Sequence, residues 1–220
     1  MIRPFDALIP EFRPAGPTEA SSGGVGRIGR EEIHSGRIVR LSLDTVRFPG
    51  GGTGELEFIR HRGAAAVLPF LDAPTDPDPR ILMVRQYRYA AGGHLYEIPA
   101  GMPEEDHEPW EVCARRELAE ETGYRTGQLR YLTRIFTTPG FTDEVIHLFA
   151  AADLKVGEVD RDDDEFIEVG SLRLSRALEA VRTGVIVDGK TVSTLLFAGQ
   201  FLPGAWEEAP EAPPRSSAGA

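Results

Sequence analysis

The chain has 220 residues, 41% of them hydrophobic and 27% charged, which is ordinary for a globular chain long enough to bury a core. Its 24 Lys+Arg against 35 Asp+Glu leave a formal net charge of −11, a field that repels polyanions and argues against DNA, RNA or an anionic membrane surface as partner. A single cysteine, Cys113, excludes an internal disulfide and a Cys-based zinc site, and no apolar run approaches the roughly 18 residues of a membrane-spanning helix.

The opening MIRPFDALIPEFRP carries prolines and an acid in its apolar part, unlike a secretory leader, so a soluble cytoplasmic protein is expected. Residues 1–29 are rich in Gly, Pro and Ser and are expected to form a flexible arm, as is the proline-rich tail 203–220. From Arg37 to Phe48 the chain alternates, with Val39, Leu41 and Leu43 on one face and Arg40, Ser42 and Asp44 on the other. That pattern predicts a strand burying its apolar face. The turn PGGGTG (49–54) joins it to a second strand with Leu56 and Phe58, giving a hairpin. The apolar runs 64–71 and 81–87 read as buried strands, with a short one at Tyr96–Ile98. A helix follows over 108–123, with Pro109 in its first turn and Gly123 just past its end. Residues 131–138 and 144–151 then read as a strand pair around PGFTD, and 166–174 as a strand. A short helix ends at Gly184, and a closing helix runs over 190–202. The order is not a regular βαβ alternation, which predicts an α+β or mixed α/β layered fold rather than a doubly wound dinucleotide-binding one. Domains are expected at 30–60, a small β-domain, and 61–202, the main domain.

The helix 108–123 carries the chemistry. At about 100° per residue, Trp110, Cys113, Ala114 and Leu118 form one apolar stripe, and Glu117, Glu120 and Glu121 fall on nearly the same side. Arg115, Ala119 and Thr122 lie opposite. Three carboxylates at the rim of a core repel one another and lose hydration, unless arginines or a divalent cation compensate. Arg116 can hold one of them, and three oxygen donors in one turn suit Mg²⁺. A solvated acidic helix end is the alternative reading of the run by itself.

The segment AGMPEEDHEPWEVCARRELAEETGY resembles the Nudix box, Gly-x5-Glu-x7-Arg-Glu-U-x-Glu-Glu-x-Gly-U, in which U is aliphatic or aromatic. Arg116, Glu117, Leu118, Glu120, Glu121, Gly123 and Tyr124 match it, and seven residues separate Glu108 from Arg116, as the pattern asks. Gly101 departs from the pattern, because six residues rather than five separate it from Glu108; a loop insertion accounts for this at small cost. YEIPAG before the box and TTPGFTDEVIHLFAA after it are similar to the ADP-ribose pyrophosphatase branch, in which a proline lies about 16 residues past the box glycine. Here Pro139 lies 16 past Gly123. The resemblance covers roughly residues 33–200.

This resemblance implies an α/β/α sandwich with a mixed sheet and an N-terminal β-domain that pairs two subunits and helps to form the nucleotide pocket. It also implies hydrolysis of a nucleoside diphosphate linked to another moiety. The pyrophosphate oxygens repel a nucleophile; divalent cations offset that charge, polarise the P–O bonds and acidify a water. By similarity Glu117, Glu120, Glu121 and the Ala100 carbonyl are metal ligands for Mg²⁺, with Mn²⁺ as substitute. Arg116 orients the glutamates, and Glu165, in the context Glu165-Phe-Ile167, is the general base. Arg88, Glu97, Gly140 and Phe141 are the expected substrate contacts, whereas Arg85 reads as a solvent-facing strand end. The implied reaction converts ADP-ribose to AMP and ribose 5-phosphate in a homodimer. The alternatives are another nucleotide sugar or dinucleotide, or a module that binds a nucleotide sugar without catalysis. The unbroken Arg-Glu-x-x-Glu-Glu run stands against the last.

Overall fold

The computed structural model describes residues 17–21, 23–105, 107–157, 167–202, 206 and 212–213. Their contacts divide the chain into two units, Met1–His61 with Thr138–Asp143, and Arg62–Thr137 with Glu144–Ala220.

The first unit holds a three-stranded antiparallel sheet of β1 (Gly26–Ser35), β2 (Arg40–Arg47) and β3 (Thr53–Arg60). The turn between β2 and β3 closes as expected, with Phe48 N donating to Gly52 O at 2.9 Å. Two features differ from expectation. First, β1 begins inside the stretch read as a flexible arm; GRIGREEIHS lacks apolar alternation, and it is the ladder with β2 that makes it a strand. Second, β2 buries the opposite face. Ser42 and Asp44 are buried, while Leu41 and Leu43 are half-buried and Val39 is exposed. Arg30 donates from Nε and Nη2 to the two oxygens of Asp44, both at 2.6 Å, and Ser42 Oγ donates to Asp44 at 2.9 Å. A carboxylate satisfied in this way can be covered at little cost. The segment 138–143 joins the same unit through Ile59 N to Phe141 O (2.7 Å) and His61 N to Asp143 Oδ1 (2.8 Å).

The second unit has two sheets. In one, β4 (Ala64–Pro69) lies parallel to β9 (Val145–Val156), which pairs antiparallel with β8 (Tyr124–Phe136); the short β7 (Ala100–Gly101) completes the order β7-β4-β9-β8. The other is antiparallel, β10-β5-β6, from Ile167–Arg173, Arg80–Arg88 and Gly93–Glu97. Side chains alternate across β4 and β9 and so serve two cores. Ala65, Val67, Phe149 and Ala151 meet Trp110, Cys113, Ala114 and Leu118 of α1 (Trp110–Thr122). Ala66, Leu68, Leu148 and Ala150 meet Ala177 of α2 (Leu174–Arg182) and Leu195 and Ala198 of α3 (Gly189–Phe201). A mixed sheet with helices on both faces is the layered arrangement that was expected. Trp206, in the stretch read as a flexible tail, is instead buried, edge-on to Phe70 at 6.2 Å, with Nε1 donating to Gln128 Oε1 at 3.1 Å. An indole that fills a core position and satisfies its N–H outweighs a proline-rich neighbourhood. No helix among the described residues is long and apolar enough to cross a membrane.

Candidate active site

Helix α1 starts after Pro109, whose carbonyl accepts from Val112 N and Cys113 N, and stops at Gly123, which takes a left-handed φ of 74°. Its apolar stripe is buried as predicted. Thr122 was placed on the opposite side by the helical wheel but is buried, because the chain reverses at Gly123 and Tyr124 N donates back to Thr122 Oγ1.

Glu117 and Glu121 are 9% and 4% exposed, and Glu120 is partly exposed. A fully buried Leu118 contributes about 1.5–3 kcal/mol, whereas an uncompensated buried carboxylate costs several. Apolar packing alone therefore cannot hold the glutamates in place. Arg116 supplies the compensation. Its Nη1 donates to Glu117 Oε1 and Glu120 Oε2, each at 2.8 Å, Nε donates to Glu108 Oε1 at 3.2 Å, and Nη2 to the Met102 carbonyl at 2.8 Å. Burial works against its charge, but the bonds to Glu108, Glu117 and Glu120 outweigh it and raise its pKa. Glu108 also accepts from Glu104 N at 2.9 Å, so the loop with the extra residue is closed onto the arginine. Cys113 is fully buried beneath; burial pushes its thiol up to about 12, which makes it inert as a nucleophile.

Beside the helix, β7 pairs with β4 through Ala65 with Gly101 and Ala66 with Ala100. A Cβ on Gly101 would lie 2.2 Å from the carboxylate carbon of Glu117. The backbone next to Ala100 therefore approaches the Glu117 carboxylate as only glycine permits. Glu117, Glu120, Glu121 and the Ala100 carbonyl are all oxygen donors, the chemistry that suits a hard divalent cation, and are the residues that could hold one. Among the described residues no three acidic, His or Cys side chains already converge as a closed cage; Arg116 holds one oxygen of Glu117 and one of Glu120. Gly101→Ala is expected to push the Glu117 carboxylate aside and lower kcat by about 10²-fold, with the fold retained, as judged by kinetics beside a circular-dichroism melt. Unchanged kcat would mean that Glu117 is not held in its working position.

Arg88 is the last residue of β5 and Glu97 the last of β6, at opposite ends of the antiparallel pair, and their side chains bridge the distance. Arg88 Nε and Nη2 donate to the two oxygens of Glu97 at 2.7 and 2.8 Å. Glu97 is 1% exposed. Burial alone would raise its pKa, but the bonds from Arg88 and from Lys190 outweigh it and hold the carboxyl below the ordinary range. The bonds to Glu97 outweigh burial and raise the pKa of Arg88, with a smaller contribution from the Glu121 carboxylate. Arg85, read from the sequence as a solvent-facing strand end, instead lies within β5, between Glu168 of β10 and Tyr96 of β6, half-buried and paired with the exposed Glu168. Gly140 and Phe141 lie in the first unit, Phe141 half exposed. Glu165 lies outside the described residues. Lys190, which donates to Glu97, was not singled out in the sequence. The signal for it was a lysine in the first turn of a helix, where the dipole disfavours a cation unless carboxylates stand near.

Residues 60–194 match the family profile described as NUDIX domain. The chain belongs to the Nudix hydrolase family. Of its curated relatives, ADP-ribose pyrophosphatase of Bacillus subtilis (strain 168) is 41% identical over 177 residues, covering 80% of this chain and 90% of the relative. Methanol dehydrogenase activator of Bacillus methanolicus is 42% identical over 172 residues, covering 77% and 90%. GDP-mannose pyrophosphatase of Escherichia coli O139:H28 is 38% identical over 156 residues, covering 64% and 79%. The solved structure of ADP compounds hydrolase matches this Nudix chain with a TM-score of 0.70 at 18% identity, over 82% of this chain and 95% of that one, a likeness of fold.

Proposed function

We propose that this Nudix hydrolase cleaves the pyrophosphate bond of ADP-ribose to give AMP and ribose 5-phosphate, with Mg²⁺ as cofactor and Mn²⁺ as substitute. The observation that carries the hydrolytic reading is the carboxylate cluster of α1, with Glu117 and Glu120 bonded to Arg116 and the buried Glu117 crowded against Gly101. A divalent cation bound there supplies charge neutralisation and Lewis acidity at the pyrophosphate. The protein residues do the rest. Arg116 keeps Glu117 and Glu120 oriented, and Arg88, held by Glu97, presents a guanidinium near the carboxylates to bind phosphate oxygens. Glu165 is assigned the general-base role on its sequence context, and Gly140 and Phe141 a substrate contact.

The choice of ADP-ribose is supported by the Bacillus subtilis relative, and the GDP-mannose pyrophosphatase relative motivates a second reading in which another nucleotide sugar is preferred. Turnover on a panel of ADP-ribose, GDP-mannose and pyridine dinucleotides tests both. A kcat/KM highest for ADP-ribose, with AMP as product, is expected; a higher value for another member would replace the substrate, and turnover of none would favour a binding module.

The protein is further proposed to be a homodimer joined through its N-terminal sheet, whose strands carry exposed Ile33 and Leu56 and whose connections carry exposed Val39 and Phe48. Light scattering at micromolar concentration is expected to give about twice the chain mass of 24.1 kDa. An active monomer would overturn the pairing.

A further inference from the structure

We infer that Lys190 is a positioning residue for the reaction, acting through Glu97 to hold the Arg88 guanidinium in its working place. The inference rests on the reading of Arg88 as a phosphate contact.

The charges form an alternating chain. Arg88 grips Glu97 through both oxygens, and Lys190 Nζ donates to Glu97 Oε2 and, at 3.1 Å, to Asp188 Oδ2. Asp188 in turn caps α3, accepting from Thr191 N at 3.0 Å and Thr191 Oγ1 at 2.6 Å. Thr191 Oγ1 accepts from Ile98 N at 2.9 Å, so the first turn of α3 binds both the side chain of residue 97 and the backbone of residue 98. Ala100 and Gly101 follow directly.

Exposure separates the roles. The Glu97 and Lys190 side chains are 2% and 10% exposed, whereas that of Arg88 is 41% exposed. A carboxylate this deeply buried needs compensation beyond the one bidentate edge that Arg88 gives it, and the enclosed Lys190 is the second cation on it. With Lys190 behind Glu97, Arg88 commits one edge, Nε and Nη2, and leaves Nη1 for another anion. Lys190 itself is too enclosed, and too fully engaged with Glu97 and Asp188, to be the phosphate contact. A lysine at a helix N-terminus also works against the helix dipole. Its place there is consistent with a job for the two carboxylates rather than for α3.

The test is a double-mutant cycle of Lys190→Met and Arg88→Ala, with kcat and KM measured in Mg²⁺ on whichever member of the substrate panel turns over fastest. Lys190→Met is expected to raise KM about 10-fold with kcat within about 3-fold. Arg88→Ala should raise KM at least as much, and the double variant should be no worse than Arg88→Ala, because Lys190 has nothing left to position. Lys190→Arg should restore most of the KM. A purely architectural role lowers the folded fraction, and so the apparent kcat and the melting temperature, without moving KM; that result would overturn the inference. So would fold-changes that multiply in the double variant. If Arg88→Ala leaves KM unchanged, the phosphate-contact reading fails, and the inference with it, while multiplying effects refute only the inference.

Discussion

Glu121→Gln is expected to lower kcat by at least about 10³-fold at saturating Mg²⁺, since charge stabilisation through a bound divalent cation is worth several kcal/mol and amide oxygen is a far weaker ligand than carboxylate. The substitution preserves size at a site that is 4% exposed, so packing should not change. Without metal the variant should be as stable as the parent or more so, because one of three like charges at a buried rim is gone. Kinetics and a metal-free thermal melt, run together, separate the two effects. Wild-type kcat would mean that Glu121 is not a ligand, and a large loss of stability would mean that its charge serves the fold.

Chelation should have the largest effect of all. EDTA in excess is expected to abolish pyrophosphate cleavage, and Mg²⁺ or Mn²⁺ to restore it. The physical ground is that Glu117, Glu120 and Glu121 make the site strongly negative, and Arg116, already bonded to two of them, cannot also offset a pyrophosphate. Full activity under chelation would refute the metal mechanism. Residual activity that follows the stability of the chelated protein would instead assign the cation to holding the carboxylates together.

The candidate site was legible in the chain to an unusual degree because its main part is local. Arg116, Glu117, Glu120 and Glu121 lie within two turns of one helix, and helical periodicity by itself put the three glutamates at the edge of the Trp110–Leu118 stripe. The stop at Gly123 and the two-faced burial of 64–71 were readable for the same reason. Where periodicity was followed too literally it misled. The alternation in β2 pointed to Leu41 and Leu43 as its buried face, yet Ser42 and Asp44 are buried because Arg30, on another strand, satisfies the carboxylate.

By itself, then, the sequence determined the kind of chemistry: a run of carboxylates with its arginine on one helix, in a mixed α/β chain of the Nudix family. Tertiary structure alone decided which segments distant in the chain meet. Lys190 reaches Glu97 across 93 positions of chain, Trp206 closes on Phe70 and Gln128 from within a proline-rich stretch, and β1 forms through its ladder with β2. The physical reason is the range of the interactions. Side-chain direction along a helix follows from backbone geometry within a few residues. The partner of a buried charge or an edge strand is set by desolvation and hydrogen bonding between segments that meet only when the chain has folded.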